Sequence, residues 1–193
     1  MDYTEVLAVL GDVVGATLAF VTGSFRKLTS DEINDATRVY RGTIDYDSVF
    51  ISDNIGLTNR AFTLPIPNGH YNAFRISLGP LGFASTGGNG LRKTLIHELC
   101  HVWQGTHDPV SWHYVVNSLA NQAAYQNAAY SYQPGMIWVN YNAEQQATIV
   151  EDWYDHGCSP SDPLFPYIRN HIWSPFSSVP RSILQGVRSI GEE

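Results

Sequence analysis

The motif His97-Glu98-Leu99-Cys100-His101 constrains this chain more than any other feature of its sequence. Residues four apart on an α-helix lie on one face, about 40° apart around the axis. Residues 91–104 predict such a helix, because they follow a glycine-rich breaker and precede Gly105. Both imidazoles can then point at one cation, and Glu98 can reach a water molecule bound to it and act as general base. The motif therefore predicts a catalytic metal centre.

Composition limits the classes of protein to which the chain can belong. The 193 residues are 44% hydrophobic and 15% charged, which excludes a disordered chain and suits one domain with a large core. The net charge of −7 argues against a nucleic-acid partner, which would require phosphate neutralisation. Two cysteines exclude a disulfide scaffold and a cysteine-rich zinc ribbon.

The first half of the domain predicts one helix and two strands. Thr29 and Glu32 form a capping box for a helix that runs to about Tyr40. Residues 43–52 and 73–78 are rich in β-branched and aromatic residues and predict strands. Proline and glycine indicate a loop over residues 65–69.

The second half predicts mainly helices. Asp108 followed by Pro109 is typical of a helix start, and this helix extends to about Tyr130. Residues 142–154 and 181–188 predict two more. Sparse strands followed by several helices indicate an α+β fold, mostly helical with a small sheet.

Residues 6–21 form an apolar segment that is interrupted by Gly11, Asp12 and Gly15. The segment is short for a membrane span, and it lacks the basic start of a signal peptide. We therefore expect an N-terminal apolar helix within residues 1–27, packed on a domain formed by residues 28–193. Association of this helix with a membrane or a carrier protein is the alternative.

The third metal ligand has three candidates. A catalytic zinc normally has three protein ligands and an open position for water. Glu144 and Glu151 are seven residues apart and share a helix face. His107 follows His101 at the spacing of the HExxHxxGxxH class, although the glycine stands at Gly105 instead of position 104.

Two segments carry a family resemblance: HELCHVWQ at His97–Gln104 and YNAEQQA at Tyr141–Ala147. They resemble the zincin-type metallopeptidases of the Glu-zincin kind, and in particular domains linked to spike and Rhs-type proteins of bacterial type VI secretion. The resemblance implies a zincin-like fold and Zn²⁺ held by His97, His101 and Glu144. Glu151 or His107 would replace Glu144 if that assignment were wrong.

The resemblance also implies hydrolysis of a protein or peptide substrate through a metal-activated water. The family often has an acid four residues after the ligand glutamate, where this chain has Thr148. Glu151 and Asp152 are the nearest acids that could orient a ligand histidine. Tyr167 and His171 are the preferred candidates for stabilising the oxyanion.

The resemblance further implies the biological role of a secreted effector or toxin, carried by a secretion spike and neutralised by an immunity protein. It would act in the periplasm or cytosol of a target cell. Two alternatives stand beside it: a non-catalytic zinc-binding adaptor, and a membrane-active module that docks through its N-terminal helix. Glu98 argues against the adaptor, because a structural metal site needs no base.

Overall fold

The structure, a computed structural model, describes residues 23–56, 59–66, 73–87, 90–108, 114–115, 117–118 and 126–174. These residues form an α+β fold with a small sheet, as the sequence predicts. The apolar segment 6–21 and the predicted helix 181–188 lie outside the described residues, as does most of the helix predicted from Asp108 onward. Within the described ranges, every helix is too short or too polar to cross a membrane.

The sheet has four strands in the order β1-β2-β4-β3. They are β1 (Phe25–Lys27), β2 (Val49–Ser52), β3 (Phe62–Ile66) and β4 (Ala73–Ser77). The central strands β2 and β4 are parallel, whereas β1 and β3 pair antiparallel at the two edges. Strand β1 pairs with β2, so residues 25–27 belong to the same sheet as the strands that follow.

The two predicted strands and the loop predicted between them agree with the structure to different degrees. The strand predicted over residues 43–52 forms only at β2, because Tyr46–Ser48 make a 3₁₀ turn capped by Asp45. Strand β4 matches its prediction and is buried along its whole length, so it is an internal strand. Strand β3 contains Pro65, inside the predicted loop; an edge strand tolerates proline because its missing N–H need not pair.

The helices are α1 (Ser30–Tyr40), α2 (Gly79–Ala84), α3 (Leu91–His107) and α4 (Ala143–Asp155). The Thr29–Glu32 capping box is present at the start of α1. Short 3₁₀ turns cover Gln126–Tyr130 and Trp138–Asn140, and a helical segment runs from Phe165 to Ile172. The helices and the sheet enclose one hydrophobic core.

Helix α3 is the central element, and packs against α4 and against strands β3 and β4. Leu95, Leu99 and Val102 are fully buried along it. The helix continues past Gly105, so the predicted stop there is wrong. A Cβ at Gly105 would lie 2.6 Å from Cε1 of Phe74, and the glycine therefore allows α3 to approach β4 closely.

Candidate metal centre

Helix α3 presents His97 and His101 side by side, with 5.1 Å between the ring centroids. Both histidines are buried, because α4 and strand β3 cover this part of α3. The i, i+4 spacing thus brings the imidazoles together as the sequence predicts.

Glu144 meets the two histidines from the first turn of α4. Asn142 caps this helix and Gln145 completes a capping box, which fixes where the helix begins. A carboxylate oxygen of Glu144 lies 3.1 Å from Nε2 of His97, and the other lies 3.5 Å from Nε2 of His101. One ligand atom from each residue lies within 4.8 Å of the others, so the three side chains form a cluster that could hold a metal ion.

The second ring nitrogen of each histidine faces an acceptor on the protein. Nδ1 of His97 lies 2.9 Å from a carboxylate oxygen of Glu151. Nδ1 of His101 lies 2.8 Å from Oε1 of Gln104. Carboxylate and amide oxygens only accept hydrogen bonds, so each Nδ1 carries a proton and each Nε2 faces Glu144.

The buried charges strongly shift the pKa values of these groups. Burial lowers the pKa of His97, but its hydrogen bonds to Glu144 and Glu151 outweigh burial and raise that pKa to about 10. Burial also lowers the pKa of His101, but the charge of Glu144 acts in the other direction and the net shift is upward. Although burial raises the pKa of Glu144, the charges and hydrogen bonds of the two histidines hold it well below the usual range. The cluster therefore favours an ionised carboxylate beside positive charge.

Glu98 is buried next to the cluster and is held by strand β3. The hydroxyl of Thr63 donates to a carboxylate oxygen of Glu98 at 2.7 Å. Burial raises the pKa of Glu98 above its usual value. The positive charges of His101 and His97 and the Thr63 hydrogen bond offset only part of this rise. The structure thus puts a proton-accepting group beside the candidate metal ligands.

Sequence reasoning missed three contacts of the site. The hydroxyl of Ser118 donates a hydrogen bond to a carboxylate oxygen of Glu144. The ring of Tyr114 stacks on His101 with 5.4 Å between centroids, and the ring of Tyr130 lies 5.9 Å from that of His97. These residues come from segments with no motif, so the sequence carries no signal for them.

Tyr130 also contacts a cation. Its hydroxyl lies 3.2 Å from Nη1 of Arg60, in a partly exposed position. Burial raises the pKa of Tyr130 to about 12, with the charge of Glu144 acting in the same direction. The hydroxyl is therefore protonated at neutral pH and available as a donor.

The other ligand candidates lie outside the three-residue cluster. His107 stacks on Trp103, and its Nδ1 lies 2.8 Å from the carbonyl oxygen of that residue. Glu151 contacts Nδ1 of His97, the ring nitrogen away from Glu144. The geometry thus favours Glu144 over both, and gives Glu151 the orienting position.

The predicted oxyanion donors Tyr167 and His171 lie in an aromatic cluster around Trp138. The hydroxyl of Tyr167 contacts the Tyr141 hydroxyl at 3.1 Å and donates to the carbonyl oxygen of Met136 at 3.0 Å. The ring of His171 stacks on Trp138 with 5.2 Å between centroids. Tyr167 and His171 therefore both contact the segment 136–141, which contains Trp138.

Comparisons with known proteins find similarity to a type VI secretion protein both in sequence and in structure. No protein-family model matches the chain. The chain is 32% identical over 140 residues to the type VI secretion system spike protein VgrG2b of Pseudomonas aeruginosa. That alignment covers 67% of this chain but only 13% of the spike protein.

A solved structure, the effector domain of Pseudomonas aeruginosa VgrG2b, also matches this chain. It superposes with a TM-score of 0.56 and 28% identity, over 80% of this chain and 88% of that domain. The agreement of sequence and fold establishes homology to this effector domain.

Proposed function

We propose that this chain is a zinc metallopeptidase with a zincin-like fold and that it acts as a type VI secretion effector. The observation that carries the enzymatic proposal is the convergence of His97, His101 and Glu144, each buried and each held by further contacts. The homology to the VgrG2b effector domain supports the secretion proposal.

The donor atoms of the cluster fit a divalent metal ion. With Nδ1 of His97 and of His101 protonated toward Glu151 and Gln104, each Nε2 faces the Glu144 carboxylate and is the nitrogen that can give up its proton to bind a metal ion. Acceptors facing one another within 3.5 Å repel unless a cation or a proton lies between them. Two imidazoles and one carboxylate are a ligand set of catalytic zinc, whereas magnesium and calcium prefer oxygen alone.

Zinc bound by these three residues would supply Lewis acidity, which acidifies water and polarises a peptide carbonyl. Glu98 takes a proton from the attacking water while the oxygen of that water bonds to the carbonyl carbon of the substrate. Glu98 then delivers this proton to the amine nitrogen as the C–N bond breaks. Thr63 holds the Glu98 carboxylate through the 2.7 Å hydrogen bond and so limits its orientations during both transfers.

Tyr130 is the proposed donor to the negative charge that develops on the carbonyl oxygen. Its ring packs near His97, and Arg60 places a positive charge next to its hydroxyl. A hydroxyl donor at this position would stabilise the tetrahedral intermediate more than the planar substrate. By contrast, the hydroxyl of Tyr167 is engaged by Tyr141 and Met136.

The homology gives the proposed cellular setting. VgrG2b is a type VI secretion spike protein, and the solved structure to which this chain is similar is its effector domain. We accordingly propose a spike carrier for this chain, delivery into the periplasm or cytosol of a target cell, and an immunity protein in the producing cell. Proteins or peptides would be the substrate.

The decisive experiment compares wild type with Glu98→Gln, and with Asp31→Asn as an exposed control. The measurements are bound zinc, cleavage of casein and of a fluorogenic peptide library, and growth of bacteria that express the chain in the periplasm or the cytosol. Glu98→Gln is expected to keep its zinc while hydrolysis falls by roughly 10²- to 10⁴-fold and growth inhibition disappears.

Two outcomes would contradict the proposed function. Growth inhibition that survives Glu98→Gln with zinc still bound would indicate an adaptor without turnover. A wild-type chain that contains no zinc after purification with added metal would rule out the proposed metallopeptidase function.

A further inference from the structure

We propose that Gln104 and Gln146 form an amide relay that positions His101 for metal binding. In this relay, each amide fixes the orientation of the next until the proton of His101 is confined to Nδ1. The inference rests on the metal site of the proposed function, but it assigns a role to two residues that bind no metal and touch no substrate.

The relay begins at two backbone carbonyls that surround Gln146. Its Nε2 lies 3.1 Å from the carbonyl oxygen of Trp138 and 3.3 Å from that of Tyr141. Carbonyl oxygens only accept, so the amino group of Gln146 must face them. The remaining oxygen, Oε1, therefore faces Gln104 as an acceptor.

Gln104 is fixed in turn by two acceptors. Its Nε2 lies 3.0 Å from Oε1 of Gln146 and 3.0 Å from the carbonyl oxygen of Ala143. Both N–H groups of Gln104 are used by these contacts. A flipped amide would direct its oxygen at two other oxygens in a buried position, which is costly.

His101 is the end of the relay. Oε1 of Gln104 lies 2.8 Å from Nδ1 of His101, and an amide oxygen can only accept. Nδ1 therefore holds a proton, which leaves Nε2, on the Glu144 side, as the nitrogen that can bind a metal ion. The two backbone carbonyls thus determine the tautomer of a histidine two side chains away.

The relay also connects the two helices that supply the ligands. Gln104 lies on α3, one turn after His101, and its amide bonds to Ala143, the residue before Glu144 on α4. A buried hydrogen bond at this junction holds the histidine and the carboxylate at a fixed separation. Pairwise helix packing alone would set that separation less sharply, since apolar contacts are not directional.

Electrostatics explains why His101 is oriented by a neutral amide and not by a carboxylate. His97 is oriented by the carboxylate of Glu151, which lies 3.8 Å from Nζ of Lys93. Glu98 and Glu144 already place two further carboxylates at the site, enough to balance a divalent ion. An amide orients His101 without adding another buried negative charge, which would need its own partner.

The test uses Gln104→Met and Gln146→Met, with Gln133→Met as an exposed control for the same substitution. Zinc affinity is measured by competition with a chelator, and folding by thermal unfolding of the metal-free chain. Long-range ¹H–¹⁵N spectra of the zinc-loaded chain report which nitrogen of each histidine carries a proton.

We expect Gln104→Met to weaken zinc binding by about 10- to 100-fold, as for loss of other groups that orient metal ligands. Gln146→Met should weaken it less than Gln104→Met, because the Ala143 carbonyl still orients Gln104. In wild type, His101 should show a protonated Nδ1 and a metal-bound Nε2. In Gln104→Met this signature should broaden or shift while that of His97 stays.

Zinc affinity within about threefold of wild type in both variants would overturn the relay without contradicting the proposed metallopeptidase function. An unprotonated Nδ1 of His101 in the wild-type spectra would overturn it as well, even if Gln104→Met does not fold. A wild type that binds no zinc would instead reject the proposed function, and the relay with it.

Discussion

Thr63 and Glu98 meet across 35 residues of sequence, where the threonine hydroxyl donates to the glutamate carboxylate at 2.7 Å. The same hydroxyl lies 3.2 Å from the backbone carbonyl oxygen of Glu98. Strand β3, an edge strand, thereby holds the side chain that we propose as the general base.

Thr63→Val keeps the shape of the side chain and removes this hydrogen bond. We expect zinc binding to stay unchanged and kcat for peptide cleavage to fall by about threefold to tenfold, because the hydrogen bond contributes about 1 kcal/mol of orientation. Steady-state kinetics on a fluorogenic peptide measure the effect. Thr37→Val, at an exposed helix position, is the matched control; equal kcat in both variants would contradict the role.

The three candidates for the third ligand are separated by their effect on metal binding. Glu144→Ala removes a proposed ligand and should weaken zinc binding by more than about 100-fold. Glu151→Gln retains an acceptor beside Nδ1 of His97, so the loss should be about tenfold or less. His107→Ala should bind zinc like wild type, because His107 faces Trp103. Atomic absorption after dialysis measures all three, and full metal content in Glu144→Ala would exclude Glu144.

The pairing of His97 and His101 could be predicted because its determinants are local, whereas the residues alone left the third ligand open and the family resemblance favoured Glu144. The spacing of His97 and His101 on one helix, and the capped start of α4 before Glu144, both depend on neighbouring residues. The contacts of Thr63, Ser118 and Tyr130 depend instead on which distant segments pack together. Single-residue patterns do not encode that packing, so these residues could not be found.

Gly105 shows how a local signal can be overridden by packing. Glycine after a periodic segment predicts a helix end, yet α3 continues to His107 with Gly105 buried against Phe74. Pro65 is the corresponding case in a strand, since the edge position of β3 removes the need for its N–H. In both cases, the tertiary environment determines what the residue does.

Gly105→Ala tests that explanation. The new Cβ would meet Phe74 Cε1 at 2.6 Å and Tyr114 Cε1 at 2.9 Å, and Phe74 is fully buried and has little room to move. We expect a loss of about 1–2 kcal/mol in the free energy of unfolding, after the gain in helix propensity from alanine. Urea denaturation measures it. Gly42→Ala, where a Cβ would find open space, should change stability by less than about 0.5 kcal/mol; a stabilised Gly105→Ala would refute the packing role.

Tyr130→Phe tests the proposed oxyanion donor. Loss of a single preorganised donor lowers kcat by roughly 10²-fold, and zinc affinity should be unaffected because the hydroxyl is not a ligand. Tyr167→Phe is the control, since its hydroxyl bonds to Met136 and Tyr141. Kinetics with one peptide substrate compare the two. A large loss in Tyr167→Phe with none in Tyr130→Phe would return the role to the residue first expected from the sequence.

The lowered pKa of Glu32 makes the free energy of unfolding depend on pH in the acidic range. Burial alone would raise its pKa, but hydrogen bonds from Arg26, Thr86 and the Thr29 backbone lower it from 4.5 to about 2. A carboxylate with a depressed pKa in the folded state stabilises that state above its unfolded pKa. This contribution, about 3 kcal/mol, is lost as the pH falls from about 5 to about 2.

Glu32→Gln should therefore lower the free energy of unfolding at pH 7 by up to about 3 kcal/mol and flatten its decline between pH 5 and pH 2. Asp31→Asn replaces an exposed acid in the same helical turn and should follow the wild-type acid profile. Urea denaturation at a series of pH values, on metal-free protein, separates this effect from zinc loss. If wild type and Glu32→Gln lose stability in parallel across that range, the Arg26–Glu32 contact does not determine the acid sensitivity of the fold.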